Sequence, residues 1–346
     1  MFALTRQDTT AIKGIAICAM LCHHLYGFPP EGVETYTGVL AWLGVLGKVC
    51  VTLFLFCSGY GLAANYSPTS FKDDLKFIGR RLVKFYLNYW VIFLIFVPIT
   101  VFCFNRPLNA AYGENYVWGH LLLDIFGLRG WQSYNITWWF NTLIIILYLL
   151  FPILYRLIRI KPWIAVLVGM VVMRLSTRVP FDTLDLCLWQ FPFILGIVWK
   201  LYADKGSRIQ EWLASHRAIA VIGSIGLLIV TIIIRMYPII PHWSGMRIDG
   251  FISCSVALCV VTIVRHLNWS METFAFLGEH SMNIYMMHTF INAFWCKEWL
   301  HTCAWMRQGA NFVVLLIICL TISVCIEYIK KKSGYYKFVN NLLVLI

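Results

Sequence analysis

The fold is decided by the stretch Thr10–Tyr26, TAIKGIAICAMLCHHLY, which is apolar enough to enter a bilayer yet carries a lysine and two histidines. Ionisable side chains inside a membrane segment are costly, so they usually face a cavity and serve a function. Lys13 and His24 are eleven residues apart, about three helical turns, which predicts that both lie on one helix face. The helical rise separates them by about 16 Å, so they can contact two ends of one long ligand but not each other.

The composition around this stretch predicts an all-α, polytopic membrane helix bundle. The 346 residues are 60% hydrophobic and 13% charged, and the mean hydropathy is +0.74, whereas a soluble domain has about 25% charged residues. We expect a single integral membrane domain over residues 1–346 with about ten transmembrane helices, and no cleavage of the first apolar segment. The predicted spans are 11–28, 40–64, 82–104, 137–156, 162–174, 186–203, 217–236, 249–266, 274–296 and 311–329.

The positive charge predicts topology rather than nucleic-acid binding. Lys and Arg are concentrated in the connections that face the cytoplasm if the N-terminus is inside, so the net charge of +12 fits the positive-inside rule. Both termini are then cytoplasmic, the protein is multi-pass in the inner or plasma membrane, and lipid surrounds it. Residues 115–128 are too short to span and predict an interfacial or re-entrant helix. The twelve cysteines form no Cys-x-x-Cys pair, so we expect buried thiols and no metal site.

His24 is the first candidate for chemistry, because histidine can transfer a proton near neutral pH. Neighbouring residues on a helix differ by about 100°, so only His24 of the histidine pair shares the face of Lys13. Lys13 can equally be a residue that extends its charge to the cytoplasmic interface.

A basic cluster follows at the predicted cytoplasmic start of the third span. Arg80, Arg81 and Lys84 are spaced three and four residues apart and share a helix face. Such a cluster suits phosphate groups, because arginine stays charged and offers a forked set of donors. The alternative is a topology signal in contact with anionic lipid.

Two further polar groups are predicted to line a substrate site or to pack helices. Ser58 precedes Gly59 near the end of the second span, where small residues allow close helix approach. Tyr285 and His288 follow Ser281 at i+4 and i+7 and form one stripe. A weaker group, in which an aromatic ring can stack on a sugar, consists of Asn135, Thr137, Trp138, Trp139 and Asn141.

Taken together, these motifs resemble the acyltransferase-3 family of bacterial integral membrane acyltransferases, which includes proteins that O-acetylate O-antigens and Nod factors. The family pattern of a basic residue, ten further residues and a histidine is similar to Lys13 and His24. This chain has Lys where many members have Arg. Phe54-Leu-Phe-Cys-Ser-Gly59 resembles its Phe-Phe-x-x-Ser-Gly motif, and Arg80-Arg-Leu-Val-Lys84 its Arg-Arg-x-x-Arg motif. The run at 138–152, Phe191–Gly196 and Leu277–His288 resemble later family segments.

The resemblance implies an O-acyltransferase that moves an acyl group, most often acetyl, from cytoplasmic acyl-CoA to a hydroxyl of a glycan or lipid-linked sugar of the cell envelope. It implies that Arg80, Arg81 and Lys84 hold the nucleotide phosphates and that the pantetheine arm runs along the Lys13 face to His24. Lys13 is then a further acyl-CoA-binding residue and, with His24, a catalytic residue. His24 is then a general base or the group that takes the acyl chain. The residues expected to contact the acceptor are Ser58, Trp138, Trp139, Tyr285 and His288. The resemblance leaves open whether the protein forms a homo-oligomer. The alternatives are a transporter or flippase of an acylated or glycosylated precursor and a non-catalytic partner of an envelope-polymer machine.

Overall fold

Every regular element in the described part of the chain is a helix. The computed structural model describes residues 2–67, 70–176, 181–203, 205, 208–237 and 245–346. The α-helices within these ranges are α1 Arg6–Cys22, α2 Gly38–Gly47, α3 Cys50–Ala64, α4 Phe71–Cys103, α5 Leu108–Tyr112, α6 Val117–Ile125, α7 Trp139–Ile160, α8 Pro162–Leu175, α9 Phe181–Tyr202, α10 Arg208–Ser215, α11 Arg217–Met236, α12 Asp249–Thr262, α13 Asn268–Glu279, α14 Ser281–Thr289, α15 Lys297–Thr302, α16 Asn311–Lys332 and α17 Tyr335–Leu345.

Short π- and 3₁₀-helical turns connect several of these helices. The π-helical turns are His23–Gly27, Phe290–Trp295 and Met306–Ala310. The 3₁₀ turns are Gly130–Gln132, Ile136–Trp138, Gly245–Arg247 and Val264–His266.

Six helical segments in the described ranges are long and apolar enough to cross a membrane, so the chain is a multi-pass membrane protein. They are Gly38–Ala64, Phe71–Cys103, Ile136–Ile160, Arg217–Met236, Asp249–His266 and Met306–Lys332. The other four predicted spans also fall on helices, which are shorter, interrupted or richer in polar residues. The count of about ten spans and the cytoplasmic placement of both termini stay predictions.

The predicted span 274–296 shows why some spans are interrupted. α13 ends at Glu279 and α14 begins at Ser281, and the chain then changes to π-helical geometry at Phe290. Inserting a residue into a helical turn in this way redirects the side chains that follow, and such turns often occur at functional sites.

The chain forms two compact units, each assembled from separated segments. The first unit contains Met1–Met20, Leu46–Ser67 and Leu150–Ser281, and the second contains Leu21–Val45, Pro68–Leu149 and Met282–Ile346. The expectation of one domain over 1–346 stays a prediction.

The first unit packs its helices through glycines. A Cβ atom added to Gly59 in α3 would lie 2.1 Å from the Phe193 carbonyl oxygen of α9, and one added to Gly196 would lie 2.1 Å from the Phe56 carbonyl oxygen. Because only glycine allows two helix backbones to come this close, the pair fixes the contact between α3 and α9. The same holds for α1 and α13 at Gly278, where a Cβ atom would lie 1.8 Å from the Thr10 carbonyl oxygen.

Two ion pairs add to the first unit. Arg235 Nε lies 2.9 Å from Asp249 Oδ1, and both side chains are buried. Arg265 pairs with the buried carboxylate of Asp8 near the start of α1. Burial alone would raise the pKa of Asp8, but hydrogen bonds from Arg265 and Thr5 outweigh it and lower that pKa below the ordinary value.

The second unit has an aromatic core between α4 and the π turn Phe290–Trp295. The ring of Phe96 lies 5.4 Å from that of Phe290 and stacks at 5.0 Å on Trp295, measured between ring centroids. Trp295 Nε1 also donates a hydrogen bond of 2.9 Å to Thr100 Oγ1. Large buried side chains at this contact hold the two helical segments together.

The segment predicted as an interfacial or re-entrant helix, 115–128, contains the nine-residue helix α6 and is fastened by one buried carboxylate. Asp124 Oδ2 accepts hydrogen bonds from Tyr134 N at 2.6 Å and Tyr112 Oη at 2.7 Å. Burial raises the pKa of Asp124, although these two hydrogen bonds oppose the change. All twelve cysteines of the chain are free thiols, but Cys103 and Cys325 are exposed, so the expectation of buried thiols is wrong for these two.

Candidate active site

His24 lies in the π turn His23–Gly27 at the end of the first helix, within the second unit. Gly27 in this turn meets Gly44 of α2 so closely that a Cβ atom on either residue would lie within 2.4 Å of the other's backbone. His23 Nδ1 forms a hydrogen bond of 2.9 Å with the carbonyl oxygen of Gly44. A carbonyl oxygen only accepts, so His23 carries a proton on Nδ1, and the turn is fixed against α2.

His24 and His288 form a pair of imidazole rings. Their centroids are 4.8 Å apart and the ring planes make an angle of 48°. His288 is fully buried, whereas His24 is half-buried. The structure therefore brings together two residues that are 264 positions apart and that the sequence predicts as site residues.

The protonation pattern of His288 follows from its partners. Its Nδ1 faces the carbonyl oxygens of Tyr285 at 2.8 Å and Ile284 at 3.2 Å, so Nδ1 carries the proton. In the neutral ring Nε2 is then an acceptor, and Thr289 Oγ1 lies 3.2 Å from it. His24 and His288 together therefore offer two imidazoles for acid–base chemistry.

Tyr285 and the two tryptophans lie near this pair in the same unit, mostly as packing residues. Tyr285 Oη donates a hydrogen bond of 2.6 Å to the Thr137 carbonyl oxygen. Trp138 is fully buried and donates through Nε1 to the Met286 carbonyl oxygen at 3.0 Å. Trp139 is also buried and stacks on Trp131 with 4.7 Å between ring centroids. The predicted contact of these side chains with substrate stays a prediction.

The basic cluster lies near the start of α4, also in the second unit. Arg80 and Lys84 are exposed, and Arg81 is half-buried with its guanidinium 5.3 Å from the centre of the Phe77 ring. The helix begins at the N-cap Ser70, whose Oγ accepts a hydrogen bond of 3.2 Å from Asp73 N. The cluster is therefore accessible to an anionic ligand.

A second polar cluster, which was not predicted from the sequence, contacts α4 at Asn88, close to the basic residues. Lys330 is the first of three consecutive lysines at the end of α16, but it is 4% exposed and lies 2.8 Å from Glu327 Oε1. It also hydrogen-bonds to Asn88, eight residues after Arg80. Asn283 Nδ2 donates to the same Glu327 oxygen at 2.8 Å. The charge of Lys330 is thus matched inside the helix bundle of this unit rather than at its surface.

The basic cluster and His24 lie near opposite ends of α4. α4 and the segment Asn283–Trp295 run parallel, since Asn88 contacts Asn283 and, twelve residues further on each helix, Thr100 contacts Trp295. Arg80 precedes Thr100 by twenty residues, about 30 Å of helix, which is close to the thickness of the bilayer core. The histidine pair lies between the levels of Asn88 and Thr100, because His288 precedes by two residues Phe290, whose ring meets that of Phe96. The turn that carries His24 reaches nearer to Thr100, since Asn292 Nδ2 donates a hydrogen bond of 3.1 Å to the His24 carbonyl oxygen.

Lys13 and Ser58 belong to the first unit. Lys13 is half-buried in α1 beside Gly14, where α1 meets the backbone of α13 at Phe274. Ser58 is half-buried in α3 and precedes Gly59, whose contact with α9 confirms close helix packing at this motif. The predicted roles of both side chains toward acyl-CoA and acceptor stay predictions.

The apolar spanning helices and the pair of imidazole rings, one buried and one half-buried, define a multi-pass membrane protein with acid–base residues in its helices. Residues 8–329 match the profile of a family described as an acyltransferase domain. Since the match covers most of the chain, the chain belongs to the acyltransferase-3 family.

A curated relative supports the same activity class. The chain is similar to acyltransferase MdmB of Streptomyces mycarofaciens, with 26% identity over 230 residues. The matched part is 57% of this chain and 57% of that protein, so the chain spans little more than half of its relative's length. No solved structure matches the chain.

Proposed function

We propose that the protein transfers an acyl group, acetyl in the simplest case, from cytoplasmic acyl-CoA to a hydroxyl of a cell-envelope glycan or lipid-linked sugar. The observation that carries the proposal is the contact between the rings of His24 and His288 inside the helix bundle of the second unit. Membership of the acyltransferase-3 family supports the reaction class.

In the proposed reaction His24 is the general base. It accepts the proton of the acceptor hydroxyl while the hydroxyl oxygen attacks the thioester carbonyl carbon. The new C–O bond forms, the C–S bond breaks, and the departing thiolate of CoA takes the proton. His288 Nε2 would be a second proton acceptor beside His24. A positioned general base contributes about 10²–10⁴-fold to a rate.

The basic end of α4 would hold the donor. Arg80, Arg81 and Lys84 would bind the phosphates of acyl-CoA, because they are accessible and share one helix face. An extended pantetheine arm would carry the thioester from there toward His24, and Lys13 stays a candidate contact of that arm on the family resemblance alone. The acceptor would meet it near the Thr100 end of α4, with Tyr285, Trp138 and Trp139 as candidate contacts. Ser58 stays a candidate on the family resemblance alone.

Substitution of His24 tests the base. With purified protein, radiolabelled acetyl-CoA and isolated envelope glycan, we expect His24→Ala and His24→Gln to lower acetyl transfer by about 10²-fold or more. His216→Gln, at an exposed position of the first unit, is the control and should keep full activity. Full transfer by both His24 variants would refute the assignment and favour the alternative, a transporter or flippase, which translocation assays in proteoliposomes would then detect.

A second experiment tests the donor site. Arg80→Ala combined with Arg81→Ala should weaken acyl-CoA binding in titration calorimetry and leave glycan binding unchanged. Lys331→Ala combined with Lys332→Ala removes the same charge from exposed positions and is the matched control. Equal acyl-CoA affinities of the two double variants would exclude the phosphate role.

A further inference from the structure

A chain of hydrogen bonds begins and ends on the π turn that carries His24. At one end, Asn292 Nδ2 donates to the His24 carbonyl oxygen at 3.1 Å. At the other end, Tyr26 Oη donates to Asn311 Oδ1 at 2.8 Å. Tyr26 is only two residues after His24, so both ends of the chain of hydrogen bonds hold the same short segment, the π turn.

Three links join the two ends. Asn292 Oδ1 lies 2.8 Å from His301 Nε2, and His301 Nδ1 lies 3.1 Å from Tyr36 Oη. Asn311 Nδ2 then donates to Tyr36 Oη at 3.0 Å. The five side chains belong to the π turns, the connection before α2, α15 and the start of α16, so the chain closes through contacts that are distant in sequence.

Backbone carbonyls at both ends determine the direction of every bond. The amide nitrogen of Asn292 must face the His24 carbonyl, which only accepts, so the Asn292 oxygen faces His301. The amide nitrogen of Asn311 likewise faces the Leu300 carbonyl oxygen at 3.4 Å. His301 must therefore donate through Nε2 and accept through Nδ1 from the hydroxyl of Tyr36, and only the neutral ring with its proton on Nε2 can do both.

The surroundings favour this neutral ring. All five side chains are buried, and the most exposed of them, Tyr36, is 8% accessible. Burial, and then the positive charges of Arg307 and Lys297, lower the pKa of His301 to about 4. Loss of one link would leave a buried donor or acceptor without a partner, which makes the arrangement strongly preferred over a partly bonded one.

We propose that His301 is a positioning residue for His24, acting through Asn292 on the backbone of the π turn. The inference rests on the proposed function, in which His24 is the base. Small displacements of a base are costly to a rate, since a shift of about 1 Å can lower it by about 10²-fold. Holding the turn at both ends limits such displacement.

Two substitutions of His301 separate hydrogen bonding from packing. In His301→Gln the amide nitrogen can donate to Asn292 and the amide oxygen can accept from Tyr36, whereas His301→Leu removes both bonds. We expect His301→Leu to lower kcat by about tenfold or more with an unchanged KM for acetyl-CoA, and His301→Gln to stay within about threefold of the parent chain. Equal kcat values for the parent and His301→Leu would overturn the proposal.

Tyr36→Phe provides a milder variant in case the leucine variant does not fold. It removes the hydroxyl that donates to His301 and accepts from Asn311, and it should lower kcat by about threefold or more, again without a change in KM. Tyr155→Phe removes a hydroxyl from an equally buried tyrosine of the first unit and is the control. If Tyr36→Phe behaves like Tyr155→Phe, the network does not act on the reaction.

A spectroscopic measurement on the full chain distinguishes failure of this inference from failure of the proposed function. In ¹⁵N-histidine NMR, the signal that disappears in His301→Gln should show the neutral ring protonated on Nε2. An Nδ1-protonated or charged ring in an active protein would overturn the network alone. Absence of acetyl transfer by the parent chain would overturn the proposed function and, with it, the catalytic effect of His301.

Discussion

The two units of the molecule differ in the contacts that predominate, although one close glycine contact, Gly27–Gly44, also occurs in the second unit. In the first unit, helix backbones meet at glycines such as Gly59 and Gly278, and buried charges are neutralised in the pair Arg235–Asp249. In the second unit, polar side chains form extended hydrogen-bond networks around His24 and around Lys330. The three π-helical turns found in the described residues all lie at the network around His24.

The two kinds of contact have different consequences for chemistry. Glycine contacts hold helices rigidly and leave no side chain for chemistry, whereas a network of amides, hydroxyls and imidazoles holds a turn and offers donors and acceptors at the same time. Within the second unit the two networks also differ. The one at Lys330 contains a carboxylate and an ammonium group, and the one at His301 is neutral and has a single direction.

The largest expected effect concerns the glycine contacts of the first unit. Gly59→Ala would place a methyl group 2.1 Å from the Phe193 carbonyl oxygen, and a backbone atom cannot rotate away. We expect a loss beyond the about 1–3 kcal/mol typical of overpacking, seen as little folded protein in size-exclusion chromatography. Gly61→Ala in the same helix, where no atom lies within 4 Å of the added Cβ, should retain the parent melting temperature. Equal melting temperatures for both variants would contradict a steric role.

The ion pair of the first unit gives the next largest effect. Arg235→Met leaves the buried Asp249 without its guanidinium, which should cost about 3–5 kcal/mol in unfolding from mixed micelles. Asp249→Leu added to this variant removes the unpaired charge and should recover much of the loss. A double variant that is as unstable as Arg235→Met would show that packing, not charge, is lost.

Acid should affect the second unit first. The pKa of His301 is lowered to about 4 in the folded chain, below its ordinary value of 6.5, so the unfolded chain binds the proton more readily. Stability from the neutral ring is therefore complete above about pH 6.5, falls as the pH falls, and is lost below about pH 4, with on the order of 2 kcal/mol gone between about pH 7 and pH 5.

The comparison is made by melting temperature against pH. The parent chain should lose more than His301→Gln over this interval, because glutamine does not titrate. The pKa of Asp8 in the first unit lies below its ordinary value of 3.8, so Asp8 changes its charge only in stronger acid. The melting-temperature curve of Asp8→Asn should therefore run parallel to that of the parent chain above about pH 4. Parallel curves for the parent and His301→Gln would mean that His301 is not held neutral.

The smallest expected effect concerns a helix end of the second unit. Ser70→Ala removes the oxygen that accepts from Asp73 N at the start of α4 and should lower stability by about 1 kcal/mol in the same unfolding assay. Ser215→Ala, at an exposed serine of the first unit that donates its hydroxyl to the Trp212 carbonyl, should change it by less than about 0.5 kcal/mol. Equal changes would mean that hydrogen bonding at helix ends does not distinguish the two units.

Several particular features could be predicted from the chain. His24 is anomalous in an apolar segment, and the polar stripe that includes His288 has helical spacing, so both could be singled out before their rings were known to meet. The close approach at Gly59 could also be predicted, but not the difference from Gly61, because both glycines adjoin Tyr60 in one apolar helix and only Gly59 meets another helix backbone.

Other features had no local signal. Asn292, His301 and Tyr36 are ordinary polar residues when taken singly, and they become one network only through contacts between distant segments. Lys330 is followed by two further lysines that are exposed, and nothing in the run of three distinguishes the one that is buried.

The sequence by itself determined that the chain forms membrane helices, that it resembles the acyltransferase-3 family, and which chemical groups stand in apolar surroundings. These properties depend on the transfer of each residue from water to lipid and on helical spacing, both of which act within one segment. Only the tertiary structure decided which polar groups meet, that His24 pairs with His288, and that His301 and Asn292 fasten its turn. Hydrogen-bond partners are selected by the approach of distant helices, because a helical pattern specifies the face of a side chain but not what lies opposite that face.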